Sequence, residues 1–409
     1  MKSSCCGTWT PDATFHMKIR HLRWLDKSIG LFLCAGLFLP AQAQKVFAAR
    51  QKFPSNGSDV TRILVIKFFG LGSIVLGFDF FCLLRKKYPS AHICAFTFEE
   101  NKSIFEMTGI FDEVRTIGVR TLTEVLEQGL KVLADMRRKR FNFAFDLEFT
   151  SRLSAAFLYL TNATHKIGFK YKGVWRGDFL DGFLEFREDV KLRKSILELG
   201  RFFAAQEESC PQPLVLRVNE DDGNAIERIF SAEGLNGAYP IIGVNINASD
   251  LCESRKWPQG FFVALMDKLI KKYSAHILLI GSAHESAYVG ETLKKMSFPQ
   301  NAHNFSGRAS FPQLVYLMRK MHLFISNDSG PLHLAVYLGI PTVSFFGPET
   351  PLIYGPEGDL HTVFYRNLSC SPCIRIKKYK FASCAYGQRC LREITAQQVF
   401  NEIERKGLF

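Results

Sequence analysis

The stretch LFISNDSGPLHLAVYLGIPTVSFF, running from Leu323 to Phe346, contains a whole structural unit. Leu323–Ser326 is a short apolar run of strand type. Asn327-Asp328-Ser329-Gly330 is a turn, and Pro331–Leu338 reads as a helix with its proline in the first turn, where a missing N–H costs nothing. Thr342–Phe346 is a second strand-type run, so the unit is βαβ and its strands are parallel. Upstream the same rhythm gives strand Ile241–Ile246, helix Phe261–Tyr273, strand His276–Ile280 and helix Phe311–Met321. An earlier series has strand Ile63–Ile66 with Gly70 and Gly72 behind it and a helical stretch to Tyr88. Strands His92–Phe96 and Val114–Ile117, a helix at 121–139 and strand Phe141–Phe145 complete it. Between the two series, residues 207–238 carry Glu207-Glu208, Pro211, Pro213, Asp221-Asp222 and Gly223, and read as a transition. The predicted fold is α/β, with two Rossmann-like domains facing across a cleft: an extension over 1–58, an N-terminal domain over 59–220 and a C-terminal domain over 236–409.

The length of 409 residues agrees with two domains, and 47% apolar with 22% charged residues is an ordinary globular composition. Charge is more informative. Residues 1–62 carry +6, residues 366–392 carry +7, and together they account for the net +13, leaving a neutral body. Two basic patches without an aromatic recognition motif argue against nucleic acid and suit an anionic substrate or membrane surface.

The first patch opens on Met17, with Lys18, Arg20, Arg23 and Lys27 before the apolar run Ile29–Pro40. Twelve apolar residues are too few to cross a bilayer, and no apolar run in the chain reaches the ~18–20 required. With Lys45, Arg50 and Lys52 behind it, the segment suits a helix lying among lipid headgroups. A secretory signal ending at Ala41-Gln42-Ala43 is the alternative.

Ligands of doubly wound sheets bind beyond the carboxyl ends of strands. There the Ser329-Gly330 turn presents backbone N–H groups and a positive helix end to a diphosphate, with His333 in the first turn; a helix cap with a core-facing histidine is the structural alternative. Gly347-Pro348-Glu349-Thr350-Pro351 is a second turn after a strand. Arg255-Lys256-Trp257-Pro258 brings two cations to another strand end, and Glu285 follows a third, placed to accept from a ribose or base. Cys370, Cys373, Cys384 and Cys390 lie within a basic stretch. They can be zinc ligands, a disulfide pair or reduced packing thiols, and thiolates among cations have lowered pKa values.

Taken together, Ile63–Gly72, Arg255–Pro258, Asp328-Ser329-Gly330 with His333, Phe346-Gly347-Pro348 and the stretch from Cys370 resemble glycosyltransferase family 9, the heptosyltransferases of lipopolysaccharide core assembly. The resemblance spans about Arg62 to Val399. It implies a GT-B fold and an inverting transfer from ADP-heptose to an anionic glycolipid acceptor, with no cofactor required for catalysis. It also implies a cytoplasmic enzyme peripheral to the inner membrane. Asp328, Ser329, Gly330, His333, Glu285, Arg255 and Lys256 become donor-binding residues, while Gly70, Gly72 and Ser73 form a cleft loop. At the position of Ser73 the family usually has an aspartate acting as base. A serine cannot replace a carboxylate there and is expected to cap the next helix instead. Asp146 and Glu148, after strand Phe141–Phe145 and on one face by the two-residue period, are the substitute candidates; Glu99 and Glu100 come next. Arg152 and Lys170 are possible acceptor contacts. The alternatives are another nucleotide-sugar donor, or a non-catalytic binding relic of the fold.

Overall fold

A computed structural model describes residues 19–47, 53, 59–204, 214–237, 239–248, 253–374, 376 and 384–408. The strands are β1 (Arg62–Ile66), β2 (His92–Phe98), β3 (Glu113–Ile117), β4 (Phe143–Asp146), β5 (His165–Lys170), β6 (Gly182–Glu185), β7 (Ile241–Asn245), β8 (His276–Leu279), β9 (Ala302–Asn304), β10 (Leu323–Asn327), β11 (Thr342–Phe346) and β12 (His361–Tyr365). The helices are α1 (Ile19–Phe47), α2 (Leu71–Val75), α3 (Phe78–Lys87), α4 (Lys102–Thr108), α5 (Leu122–Lys139), α6 (Arg152–Leu160), α7 (Leu192–Glu198), α8 (Glu220–Ala232), α9 (Gln259–Tyr273), α10 (Ser286–Leu293), α11 (Phe311–Met318), α12 (Gly330–Tyr337), α13 (Pro351–Tyr354), α14 (Arg389–Arg392) and α15 (Ala396–Lys406).

They form two six-stranded sheets, ordered β3-β2-β1-β4-β5-β6 and β12-β11-β10-β7-β8-β9, each pairing parallel throughout. Written from its own first strand, each sheet has the order 3-2-1-4-5-6 of a doubly wound domain, so the predicted GT-B pair of Rossmann-like domains is the fold observed. The central strands β4, β7, β10 and β11 are buried along their whole length, as parallel strands covered on both faces must be.

The domains touch where α2, which follows β1, meets α12, which follows β10. A Cβ on Gly72 in α2 would lie 2.4 Å from Cδ2 of His333 in α12, and one on Gly330 would lie 3.0 Å from the Leu71 Cβ. Both glycines are therefore required by close approach, at the floor of the cleft. Elsewhere Lys191 Nζ ties the domains together by donating to the Pro351 and Gly355 carbonyls, both at 2.8 Å.

Two parts of the chain differ from the sequence reading. The transition at 207–238 contains a helix, α8, which packs on α11. Asn219 accepts from the Asp222 amide at 2.7 Å as N-cap, and Glu220, Asp221 and Asp222 complement the dipole of the first turn. Gly223 breaks nothing, because it lies against the Tyr316 ring.

The N-terminal segment differs more. The helix extends far beyond Ile29–Pro40, and His21–Val46 is long and apolar enough, by length and composition, to cross a membrane. One side of it packs along α6. Asp26 Oδ1 accepts from Ser151 Oγ at 2.6 Å and from the Leu153 amide at 2.9 Å, while Cys34 Sγ meets the Arg152 carbonyl at 3.5 Å. With Gly30 between them, these positions repeat every four residues, one helical face. The opposite side exposes Trp24 (64%), Phe32 (77%) and Leu39 (75%). Lys18, Arg50 and Lys52, and in the second patch Arg375, Lys377, Lys378 and Lys380, lie outside the described residues.

A Cβ at Gly30 would come within 2.8 Å of the Arg152 Cβ and 3.2 Å of the Leu153 nitrogen, whereas one at Gly36 meets nothing within 4 Å. Alanine at either position gains up to ~1 kcal/mol of helix propensity, but overpacking at Gly30 costs ~1–3 kcal/mol. Urea denaturation should show Gly36→Ala raising the midpoint and Gly30→Ala lowering it; equal shifts would mean that α1 does not dock on α6.

Candidate active site

A cavity of about 550 Å³ opens between the carboxyl edges of the two sheets. Its walls come from the Lys67–Ser73 and Glu148–Ser151 loops of the N-terminal domain and from Asn245–Ala248, Arg255, Ile280–Glu285 and Asp328–His333 of the C-terminal domain. Arg23 and Asp26 of α1 complete it.

In each domain a buried ion pair bridges the point where strand order reverses. Between β1 and β4, Lys67 Nζ donates to Glu148 Oε1 at 2.8 Å, and the Phe68 and Phe69 amides donate to the same oxygen at 3.0 and 2.9 Å. Burial alone would raise Glu148, but the Lys67 charge and these hydrogen bonds hold it below its ordinary 4.5. Between β7 and β10, Arg255 Nη1 donates to Asp328 Oδ2 at 2.9 Å. The Arg255 loop is fixed by Trp257, whose backbone amide donates to Asn327 Oδ1 at 2.8 Å and whose indole N–H donates to the Ile394 carbonyl at 2.9 Å.

The turn Asp328–Gly330 shows why α12 starts with a site and not with a cap. Asp328 is engaged by Arg255. The Ser329 hydroxyl meets Asn245 Nδ2 at 3.0 Å and Ser326 Oγ at 2.9 Å, and makes no capping bond to the helix. The start of α12 thus receives no side-chain cap from Ser329, and Ser329, Gly330 and Pro331 line the cavity. His333 is buried against Gly72. Among the described residues, Arg255 Nε and Asn247 Oδ1 in the cavity wall and Ser306 Oγ beside Gly281 have no hydrogen-bond partner. The missing side chain of Gly281 leaves room at this wall, since a Cβ there would sit 2.7 Å from Asn247 Nδ2 and 2.9 Å from Ser306 Oγ. A polar ligand fits a wall of this kind.

Several expected residues are here and several are not. Glu285 lines the cavity and also closes a capping box, its Oε2 accepting from the Ser282 amide at 2.7 Å and from the Ser282 hydroxyl at 2.9 Å. Of the two adjacent cations only Arg255 faces the cleft; Lys256 lies over the Tyr288 ring, 4.9 Å away. Gly70 and Gly72 form the cleft loop, but Ser73 caps no helix. It lies inside α2, whose N-cap is Gly70, and its hydroxyl bonds back to the Phe69 and Gly70 carbonyls at 2.8 Å.

Asp146 and Glu148 part company. Glu148 reaches the cleft, whereas Asp146 is fully buried against Arg176, accepts from Ser154 Oγ at 2.9 Å and borders a separate cavity behind β5. Burial raises the Asp146 carboxyl against the pull of Arg176. Glu99 accepts from the Thr116 hydroxyl at the sheet surface and Glu100 is exposed. Arg152 donates to the Trp175 carbonyl at 3.0 Å, and Lys170 pairs with Asp178 at 2.8 Å; neither lines the cleft.

Among the described residues no group of three or more His, Cys, Asp or Glu side chains is placed to hold a metal ion. Cys370, Cys373, Cys384 and Cys390 are all thiols, none of them in a disulfide. Nor is the Cys390 thiol acidified: burial, followed by its cysteine neighbours, pushes it up to about 11. It is buried against Gly347.

Asn245, Asn247, Arg23 and Asp26 line the cavity and were not singled out from the sequence. The two asparagines follow the first strand of their domain, the position at which Ser329 was sought after its own strand. For the α1 pair no local signal distinguishes a cleft-facing turn from the rest of an amphipathic helix.

Two doubly wound domains with a nucleotide-sized cavity at their facing carboxyl edges, and a helix start left open to it, define a GT-B glycosyltransferase. Residues 130–381 match the model of glycosyltransferase family 9 (heptosyltransferase), and the chain belongs to that family. It is 24% identical over 303 residues to lipopolysaccharide heptosyltransferase 2 of Salmonella typhimurium, covering 71% of this chain and 84% of that protein. Among solved structures it resembles the family 9 glycosyl transferase of Veillonella parvula (TM-score 0.70, 20% identity, 85% of this chain and 97% of the other). The E. coli ADP-heptose LPS heptosyltransferase II has TM-score 0.66 and 22% identity, over 85% and 98% of the two chains.

Breaking the Arg255–Asp328 pair leaves a buried charge uncompensated, at a cost of ~3–5 kcal/mol. Thermal unfolding should therefore show a large loss for Arg255→Gln, while Lys256→Gln stays within ~0.5 kcal/mol of the parent.

Proposed function

We propose that the chain transfers a heptose from ADP-heptose to a lipopolysaccharide core or related glycolipid acceptor, at the cytoplasmic face of the inner membrane. The observation that carries the donor assignment is the open start of α12, facing a cavity whose C-terminal wall holds Arg255 Nε and Asn247 Oδ1, neither with a hydrogen-bond partner among the described residues. A diphosphate at Ser329 and Gly330 meets backbone N–H groups and the positive end of a helix dipole, which stabilise the charge that develops as it departs. His333 donates from the same turn, and Glu285 with Asn247 borders the space left for the nucleoside.

The transfer is a single in-line displacement. The acceptor hydroxyl oxygen bonds to the anomeric carbon, the bond from that carbon to the diphosphate oxygen breaks, and ADP leaves with the electron pair. Glu148 takes the hydroxyl proton. It is the candidate base that reaches the cleft, and its Oε2 takes no hydrogen bond from the described residues, Lys67 and the two amides all meeting Oε1. Asp146 is set aside by its burial against Arg176. The membrane reading rests on the outer face of α1, where Trp24, Phe32 and Leu39 are exposed beside Lys27.

Calorimetry on the full chain, in which α1 keeps its place in the cleft wall, tests the donor. ADP should bind, and Ser329→Tyr should abolish that binding with the fold intact; unchanged ADP affinity in the variant would sink the diphosphate assignment. Glu148→Gln should keep ADP affinity and lower kcat by ~10²–10⁴-fold. Since Glu148 is held below 4.5, it remains ionised above that pH and loses its charge only as pH falls further. The acid limb of kcat/KM for the parent enzyme should accordingly lie below pH 4.5, and a limb near neutrality would assign the base to another group.

A further inference from the structure

We propose that Arg23, carried into the transfer cleft by the N-terminal helix, binds an anionic oxygen of one of the two substrates. The argument begins with how firmly α1 is placed. Asp26 is almost completely buried and accepts from both the Ser151 hydroxyl and the Leu153 amide, at the start of α6. One turn later Gly30 brings the two helices together so closely that a methyl group would collide with Arg152. These contacts fix both the rotation and the height of α1.

Arg23 stands one turn before Asp26, on the same face. It lines the cavity together with Gly70, Ser329 and Gly330. Its guanidinium carbon lies 5.1 Å from the centre of the Phe69 ring. A guanidinium drawn to an aromatic ring by cation–π attraction still presents the planar set of N–H donors that grips phosphate or carboxylate. Its charge also reaches the other domain. Burial, then Glu349 and Asp328, hold the Tyr354 hydroxyl far above its usual range, and Arg23 with Arg255 opposes them. Arg23 therefore sits at the seam of the two domains, where donor and acceptor meet. Residue 23 lies well outside the matched family region of 130–381, so the cation is supplied by a segment beyond that match.

The anion is either the donor diphosphate or an acid group of the acceptor, and the assignment rests on the nucleotide-sugar reading of the cleft. The test uses the full chain with Arg23→Gln and Arg23→Lys, and with Gln44→Ala at an exposed position of α1 as control. Calorimetry measures ADP and inorganic pyrophosphate, and steady-state kinetics measure KM for a lipopolysaccharide core acceptor. If the diphosphate is the ligand, Arg23→Gln weakens ADP and pyrophosphate at least tenfold and Arg23→Lys recovers part of the loss. If the acceptor is the ligand, both affinities are unchanged and acceptor KM rises at least tenfold. Gln44→Ala leaves all three values at parent level. Parent-like values for Arg23→Gln overturn the inference, as does a parent chain that binds no pyrophosphate and no acceptor. A parent that binds pyrophosphate but not ADP overturns the nucleotide reading alone, and Arg23 is then judged on pyrophosphate.

Discussion

The cleft depends on a contact that leaves no room for a side chain. Gly72 and Gly330 let α2 and α12 approach until an imidazole ring touches the opposite backbone. That approach joins two separately wound sheets at their carboxyl edges and brings together the loop after β1 and the loop after β10. A methyl group at Gly72 would collide with the His333 ring, and one at Gly330 would press on the Leu71 side chain. The ion pairs follow from the same arrangement. Each domain spans its own switch point with a cation from its first loop and a carboxylate from its fourth strand's end, Lys67 with Glu148 and Arg255 with Asp328. The pairs are buried, so their worth lies in fixing two loops in register more than in net stability.

The fold was legible because parallel strands buried on both faces must be short apolar runs, and because turn residues punctuate them. Leu323–Phe346 contains the whole logic in 24 residues. Four strands escaped, β5, β6, β9 and β12, and two of them show why. β5 begins His165-Lys166 and ends on Lys170, and its polar groups are buried by pairing with Asp181 and with local carbonyls, which no local pattern announces. β9 has three residues and lies at a sheet edge. At the site, Ser329, Gly330 and His333 were readable from chemistry at a strand end. The distinction between Asp146 and Glu148 was not, because it depends on Arg176, 30 residues away, claiming one carboxylate and Lys67 the other.

The N-terminal helix shows the limit of reading a segment by itself. Basic flanks around an apolar core suggested a device for a membrane surface, and the outer face retains that character. The inner face is explained only by α6, a partner more than a hundred residues downstream, to which Asp26, Gly30 and Cys34 are matched. Asp26, set among the basic residues of that segment, is the peg that holds the helix in place.

That separation also has a temporal side. Ile19–Phe47 leaves the ribosome early, while Arg152–Leu160 follows after about a hundred further residues, roughly 5–20 s at ordinary elongation rates. For that interval the newborn chain displays a long apolar helix with nothing to lie against. Whatever first covers it, a lipid surface or a chaperone, must release the Asp26 face when α6 arrives. The order of synthesis thus makes closure of the cleft wall a late event, completed after the first sheet has its fourth strand.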